Sequence, residues 1–220
     1  MKNDTIERRT LATDFELRKA VEANSDTRTV RGYAAKFGTM SEPLMNKQTR
    51  YKFRETIQRG AFDGAAFDDV RAFFNHNPNM VLARSKAGKG SLSLGVDDTG
   101  LWYEFDAPDN TAGNDLLESI KRGDIDQSSF AFSIAEGGEE WKNTGDNSSD
   151  GDVIYTRTIK KISGVYDVSP VTEPAYADTS VAVRSLEEFR SHEDLPSDPS
   201  KTPSPEELSE VSDWAARLGI

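Results

Sequence analysis

The chain has 220 residues, long enough for one core of ordinary size, and carries 27 basic against 38 acidic side chains, a formal net charge of −11. That charge opposes binding to nucleic acid or to an anionic membrane surface, and the absence of cysteine excludes disulfides, thiolate nucleophiles and Cys-ligated metals. Hydrophobic residues make up 35% and charged residues 30%, too polar for a chain folded throughout, so part of the length is expected outside the core.

No run of about 18 apolar residues occurs, and Met1-Lys2-Asn3-Asp4 leads into charged sequence rather than an apolar signal core, so the chain reads as soluble and unexported. Residues 1–20 are charged with sparse apolar residues, readable as a first strand or as a frayed lead-in. Thr27–Gly38 is β-branched and aromatic and predicts a strand with a glycine bulge or bend at Gly32. Residues 39–50 read as a loop, Phe53–Ile57 as a short strand, and Gly60–Phe67 as a helical turn or two broken by Gly64. Val70–His76 has strand character again, and Asn77-Pro78-Asn79 supplies the turn chemistry that should stop it. Ser91–Val96 and Leu101–Phe105 flank Asp97-Asp98-Thr99-Gly100 as a β-hairpin. Asn114 or Asp115 can cap a helix carrying Leu116, Leu117 and Ile120, with Gly123 as its stop.

In Asp126–Ile134 the bulky Phe130, Phe132 and Ile134 alternate with the small Ser129, Ala131 and Ser133, the period of a half-buried strand with one apolar and one hydroxylated face. Residues 137–152 read as a polar loop, and Val153–Val171 as one long strand or two with a bend. From Leu186 onward nine acidic residues stand against three basic ones, with four of the nine prolines; this predicts a linker with a short amphipathic helix at Pro205–Leu218. The expected organisation is one mainly β domain with a few short helices, α+β in class, over residues 15–185, between the lead-in of residues 1–14 and the acidic, Pro-rich tail of residues 186–220.

A serine hydroxyl becomes a nucleophile only when a neighbouring base accepts its proton, and the chain holds two histidines. His192 lies in the acidic tail, where nothing holds a base with the accuracy that proton transfer needs. His76, beside Phe73 and Phe74 and between two asparagines, is either a structural hydrogen-bonding residue or the base. Ser128 and Ser129 either satisfy local backbone groups or supply the nucleophile; alternation turns Ser128 to the Phe130 side and so favours Ser129. Asp167 interrupts an apolar run, where a charge needs a partner, or it is an edge aspartate facing solvent. One core histidine and no cysteine leave only carboxylates for a metal, and Lys86–Gly90 lacks the Gly-Lys-Ser/Thr ending of a phosphate loop, so no metal or cofactor is expected.

Taken in order, the Gly32-Tyr33-Ala34 strand, Arg59-Gly60-Ala61-Phe62, Phe74-Asn75-His76-Asn77, Ser128-Ser129-Phe130-Ala131-Phe132 and Asp167-Val168-Ser169-Pro170-Val171-Thr172-Glu173-Pro174-Ala175-Tyr176 resemble the prohead (capsid maturation) serine protease family of tailed bacteriophages over residues 28–185. The resemblance implies a closed or nearly closed β-barrel surrounded by helices, like the herpesvirus capsid-assembly protease. It implies a serine endopeptidase with Ser129 as nucleophile, His76 as general base and Asp167 as the orienting third member. The family often has glycine where Ala131 stands and a bulky residue where Ser128 stands, which keeps Ser128 as the alternative nucleophile. The implied substrates are the scaffold or delta segment of the major capsid protein and the protease itself by autoprocessing. The implied place is inside the viral procapsid in the host cytoplasm, as a homodimer or larger oligomer by analogy. A competing expectation is a non-catalytic capsid-assembly or scaffold protein on the same β-barrel, holding basic capsid segments through its acidic surface; a generic β-rich binding domain would not account for the ordered motifs.

Overall fold

The computed structural model describes residues 6–13, 15–18, 28–45, 52–147, 153–172 and 180–192. Within them fourteen strands and two helices follow in order: β1 (Glu7–Ala12), β2 (Glu16–Arg18), β3 (Thr29–Lys36), β4 (Leu44–Met45), β5 (Lys52–Ile57), β6 (Asp69–Phe74), β7 (Asn77–Lys86), β8 (Lys89–Gly90), β9 (Leu92–Val96), β10 (Gly100–Asp106), α1 (Thr111–Arg122), β11 (Gln127–Ile134), β12 (Glu139–Asn147), β13 (Val153–Ile159), β14 (Ile162–Val171) and α2 (Ser180–His192). The chain is thus mainly β with two short helices among the described residues. It divides into a unit of Met1–Val183 and a unit of Arg184–Ile220. Leu186–His192, expected as the start of a linker, is helical, whereas the expected helix at Pro205–Leu218 lies outside the described residues.

Hydrogen bonding forms three open sheets in the orders β1-β11-β14-β6-β7-β8, β2-β3-β10-β9 and β12-β13-β5-β4. Among the described residues no closed barrel is found, because each sheet ends in an edge strand: β1 and β8, β2 and β9, β12 and β4. The six-stranded sheet is mixed: β11 pairs antiparallel with both β1 and β14, while β14 pairs parallel with β6. Parallel neighbours need a long crossover, and here most of the chain between residues 74 and 162 intervenes. The core gathers Val30, Tyr103, Phe105, Leu116, Phe130, Phe132, Ile162 and Val168. The Phe130 and Phe132 rings stack at 4.5 Å between centroids.

Several local expectations shift. Gly32 pairs regularly with Tyr103, and the bulge lies across the ladder between Leu101 and Trp102. A Cβ at Gly32 would come 2.8 Å from the Phe15 ring, so glycine there serves close packing rather than a bend. Gln58–Ala65 forms successive turns, with Ala61 N bonding Gln58 O and Asp63 N bonding Gly60 O at 3.0 Å each, and no helix. Helix α1 is capped four residues before the earliest expected cap, because the Asn110 side chain accepts from Gly113 N at 2.9 Å; its end at Gly123, φ 77°, is the expected left-handed stop. Most of the expected 137–152 loop is β12, which buries Trp141 edge-on against Phe53 at 5.3 Å and shows polar residues outward.

Beneath β11 lies a buried cluster of charge. Arg157 on β13, 1% exposed, donates from Nη1 to Glu7 Oε2 at 2.7 Å and to Glu55 Oε2 at 2.9 Å, and from Nη2 to Glu7 Oε1 at 2.8 Å. Arg9 donates from Nε to Glu55 Oε1 and from Nη2 to Glu7 Oε2, both at 2.6 Å. The two arginines hold Glu7 below the usual carboxylate range although burial alone would raise it, and the carboxylates in turn raise both guanidinium values against the same burial. Paired this way, charges that would be prohibitive singly fasten β1 to the rest of the fold.

Candidate active site

Ser129, His76 and Asp167 come together from three neighbouring segments of the six-stranded sheet. On β11 the alternation holds: Ser128 faces the core and bonds the Tyr103 hydroxyl at 2.9 Å, while Ser129 faces the opposite side. Burial keeps the Tyr103 phenol well above its ordinary value, so it stays protonated beside Ser128. The strand is covered on both faces rather than half-buried, and Ser129 itself is 0% exposed.

His76 is placed by a tight turn. β6 and β7 are joined by only Asn75 and His76, both in the left-handed region at φ 54° and 53°, the geometry of a type I′ hairpin loop. Asn and His tolerate this region better than most residues, but it still costs conformational energy that tertiary contacts must offset. Those contacts run to the end of β14: Asn75 N donates to Pro170 O at 3.0 Å, and Asn75 Oδ1 accepts from Thr172 N at 2.9 Å. The expected stop at Asn77-Pro78-Asn79 is instead the start of β7, where the ladder skips from Phe74↔Asn77 to Phe73↔Val81 and Pro78 has no pairing to lose.

The imidazole lies between a carboxylate and a hydroxyl. His76 Nδ1 is 2.6 Å from Asp167 Oδ1, and Nε2 is 2.6 Å from Ser129 Oγ. An aspartate carboxylate can only accept, so Nδ1 carries the proton and Nε2 is left to accept from the serine hydroxyl. Asp167 is no edge aspartate: its strand lies between β11 and β6, and its side chain is 7% exposed. Ser169, also fully buried, donates from Oγ to Asp167 Oδ1 at 3.3 Å and lies 3.2 Å from His76 Nδ1. Arg8 on β1 brings Nη2 to 4.0 Å from Asp167 Oδ2. Chemically, a serine hydroxyl hydrogen-bonded to an imidazole whose other nitrogen is held by a carboxylate is the arrangement for acyl transfer. Among the described residues no three histidine or carboxylate side chains converge as they would on a metal ion.

Three residues around this centre escaped the sequence reading. Ser169 was within reach, since it stands two residues after Asp167 on a strand and so shares its face. Asn75 was overshadowed by the stronger turn signal of Asn77-Pro78. Arg8 lies in a segment whose alternation is charged on both faces and therefore carries no apolar period. His192 belongs to the other unit of the chain.

No curated protein matches the chain. The solved structure of the bacteriophage T4 capsid assembly protease, gp21, is similar with a TM-score of 0.32 at 10% identity, over 75% of this chain and 98% of that one, too distant to carry an argument. The family model of the caudovirus prohead serine proteases matches residues 13–193, most of the chain. On that match, the chain belongs to the caudovirus prohead serine protease family.

Proposed function

We propose that this phage prohead maturation protease is a serine endopeptidase in which Ser129 is the nucleophile, His76 the general base and Asp167 the orienting carboxylate. The observation that carries this reading is the pair of 2.6 Å contacts made by the two nitrogens of His76, to Ser129 Oγ and to Asp167 Oδ1. Ser129 Oγ attacks the scissile carbonyl carbon while its proton passes to His76 Nε2. The resulting imidazolium stays hydrogen-bonded to the Asp167 carboxylate and returns the proton to the leaving amine as the peptide C–N bond breaks. Water then repeats the sequence on the acyl-enzyme, releasing the new carboxyl terminus and restoring the hydroxyl. The reading does not rest on a closed barrel or on kinship with the herpesvirus fold.

The substrates in this reading are the scaffold or delta segment of the major capsid protein and the chain itself, cut inside the procapsid, with the enzyme acting as a homodimer or larger assembly. Complete burial of Ser129 favours a second reading, a non-catalytic capsid-assembly protein on the same fold. Co-expression with the capsid protein separates them: Ser129→Ala and His76→Ala each abolish processing if the chain is the protease, whereas undiminished processing in either variant refutes the assignment.

A further inference from the structure

Two rows of side chains cross the face of the six-stranded sheet that carries Ser129. In the first, Thr10, Ser129 and Ser169 stand opposite one another on β1, β11 and β14. In the second, one pleat along, Arg8, Ala131, Asp167 and Arg71 do the same on β1, β11, β14 and β6. Neighbouring strands lie about 4.8 Å apart, so Arg8 and Asp167 start two strands away from each other. Only the small Ala131 stands between them, and the Arg8 stem reaches over it to bring Nη2 to 4.0 Å from Asp167 Oδ2. Asp167 Oδ1 is already engaged by His76 and Ser169, so Arg8 faces the oxygen that the rest of the centre leaves open.

The guanidinium is also incompletely satisfied. Arg8 Nε is buried and has no hydrogen-bond partner, although the side chain as a whole is 43% exposed. Nε and Nη2 form one edge of the guanidinium, the edge that grips a carboxylate side-on. The Nη2 contact at 4.0 Å is about 1 Å longer than a charge-assisted hydrogen bond. The other side of β1 is not free to drift, because the flanking Glu7 and Arg9 are locked into the buried cluster with Glu55 and Arg157. β1 precedes the residues matched by the family model, which begin at position 13.

We propose that Arg8 is a positioning residue of the catalytic centre: its guanidinium, reaching over Ala131 to Oδ2 of Asp167, keeps that carboxylate aimed at His76. This inference rests on the proposed serine-protease reading. The other groups facing the Asp167–His76 pair are Ser129 and Ser169, both neutral, and Arg71, whose guanidinium is drawn away to Asp69 at 3.1 Å. Removing Arg8 therefore leaves no other cation directed at Asp167 among these neighbours.

The test measures cleavage of the phage's own capsid protein by the purified full-length chain, with kcat and KM determined separately. For Arg8→Gln the expected result is a kcat lower by roughly fivefold to tenfold, the scale of one partly screened charge pair, with KM little changed. Arg8→Lys restores most of the rate. If Arg8→Gln does not fold, Arg8→Met, which keeps the apolar stem, gives the same readout. An unchanged kcat in the charge-removing variant, or Arg8→Lys no better than Arg8→Gln, overturns the proposal. Continued cleavage by Ser129→Ala would instead overturn the underlying protease reading, so the two failures are distinguishable.

Discussion

Ser129 and Ser169 stand directly opposite each other across the β11–β14 ladder, and the imidazole of His76 meets them with different nitrogens: Nε2 lies 2.6 Å from Ser129 Oγ, Nδ1 3.2 Å from Ser169 Oγ. Only the serine at Nε2 can hand its proton to the base, because Nδ1 is the donor to Asp167. Ser169 supports the carboxylate instead, through its 3.3 Å bond to Asp167 Oδ1.

Replacing Ser169 with alanine removes one hydrogen bond to a charged group, a change worth about 1.5–3 kcal/mol. Part of that is recovered by reorientation, and steady-state assays of Ser169→Ala should show kcat lower by roughly tenfold with the fold intact. Ser169→Val, which adds bulk under the imidazole, should be worse than alanine. Equal kcat for all three proteins would remove Ser169 from the account.

Asp167→Asn should be far more damaging than Ser169→Ala. An amide nitrogen placed at Oδ1 donates to Nδ1, which forces the ring proton onto Nε2 and leaves the imidazole unable to accept from Ser129. A loss in kcat on the order of 10³–10⁴ is the scale for this tautomer error in a serine triad. A loss under about tenfold would mean that Asp167 is a structural partner only.

The reach of the sequence differed from strand to strand. β11 was readable because its two faces carry residues of different size, and the same alternation correctly separated Ser128, now on Tyr103, from Ser129. The β9–β10 hairpin was readable because Asp97 closes its own turn, accepting from Thr99 N at 2.8 Å and Gly100 N at 3.1 Å. β1 was readable only as one of two alternatives: its inward positions are Glu7 and Arg9, which bond each other and the distant Arg157 and Glu55. β12 was hidden by its polar residues and by the glycines in and around it, since a single tryptophan, Trp141, supplies its buried anchor. The strand order itself depends on β6 pairing parallel with β14 and β5 with β13, contacts that no local pattern encodes.

The turn that aims His76 yields a graded prediction. Asn75→Gly keeps the left-handed backbone at φ 54° but loses the Oδ1 bond to Thr172 N, for a cost of about 1 kcal/mol in denaturant unfolding. Asn75→Ala loses the bond and also strains the backbone, adding about 1–2 kcal/mol. Activity should fall in the same order, wild type above glycine above alanine. Equal stability of the glycine and alanine variants would contradict the strained turn.

The buried cluster predicts an acid sensitivity with a definite sign. Glu7 binds a proton less readily in the folded chain than in the unfolded one, because the Arg157 and Arg9 contacts outweigh burial. Its contribution is therefore fully present above the ordinary glutamate value of about 4.3 and is lost as pH falls below that value and through the lower folded one. Urea midpoints measured from pH 7 downward should fall through this range, and Glu7→Gln should flatten the fall. At neutral pH that variant should be destabilised by about 3–5 kcal/mol, the cost of breaking a buried ion pair from one side. A wild-type midpoint as steep in acid as that of Glu7→Gln would show that the cluster does not carry the effect.

The central claim is that the hydroxyl at Nε2 of His76, and no other, is the nucleophile. The most direct measurement is site-resolved mass spectrometry of the full-length protein after reaction with a fluorophosphonate, comparing wild type with His76→Ala. The account predicts one phosphonyl adduct on Ser129 in the wild type, none on Ser128, Ser133 or Ser169, and loss of the adduct in His76→Ala. An adduct on Ser128, or one on Ser129 that forms equally fast without His76, would contradict it.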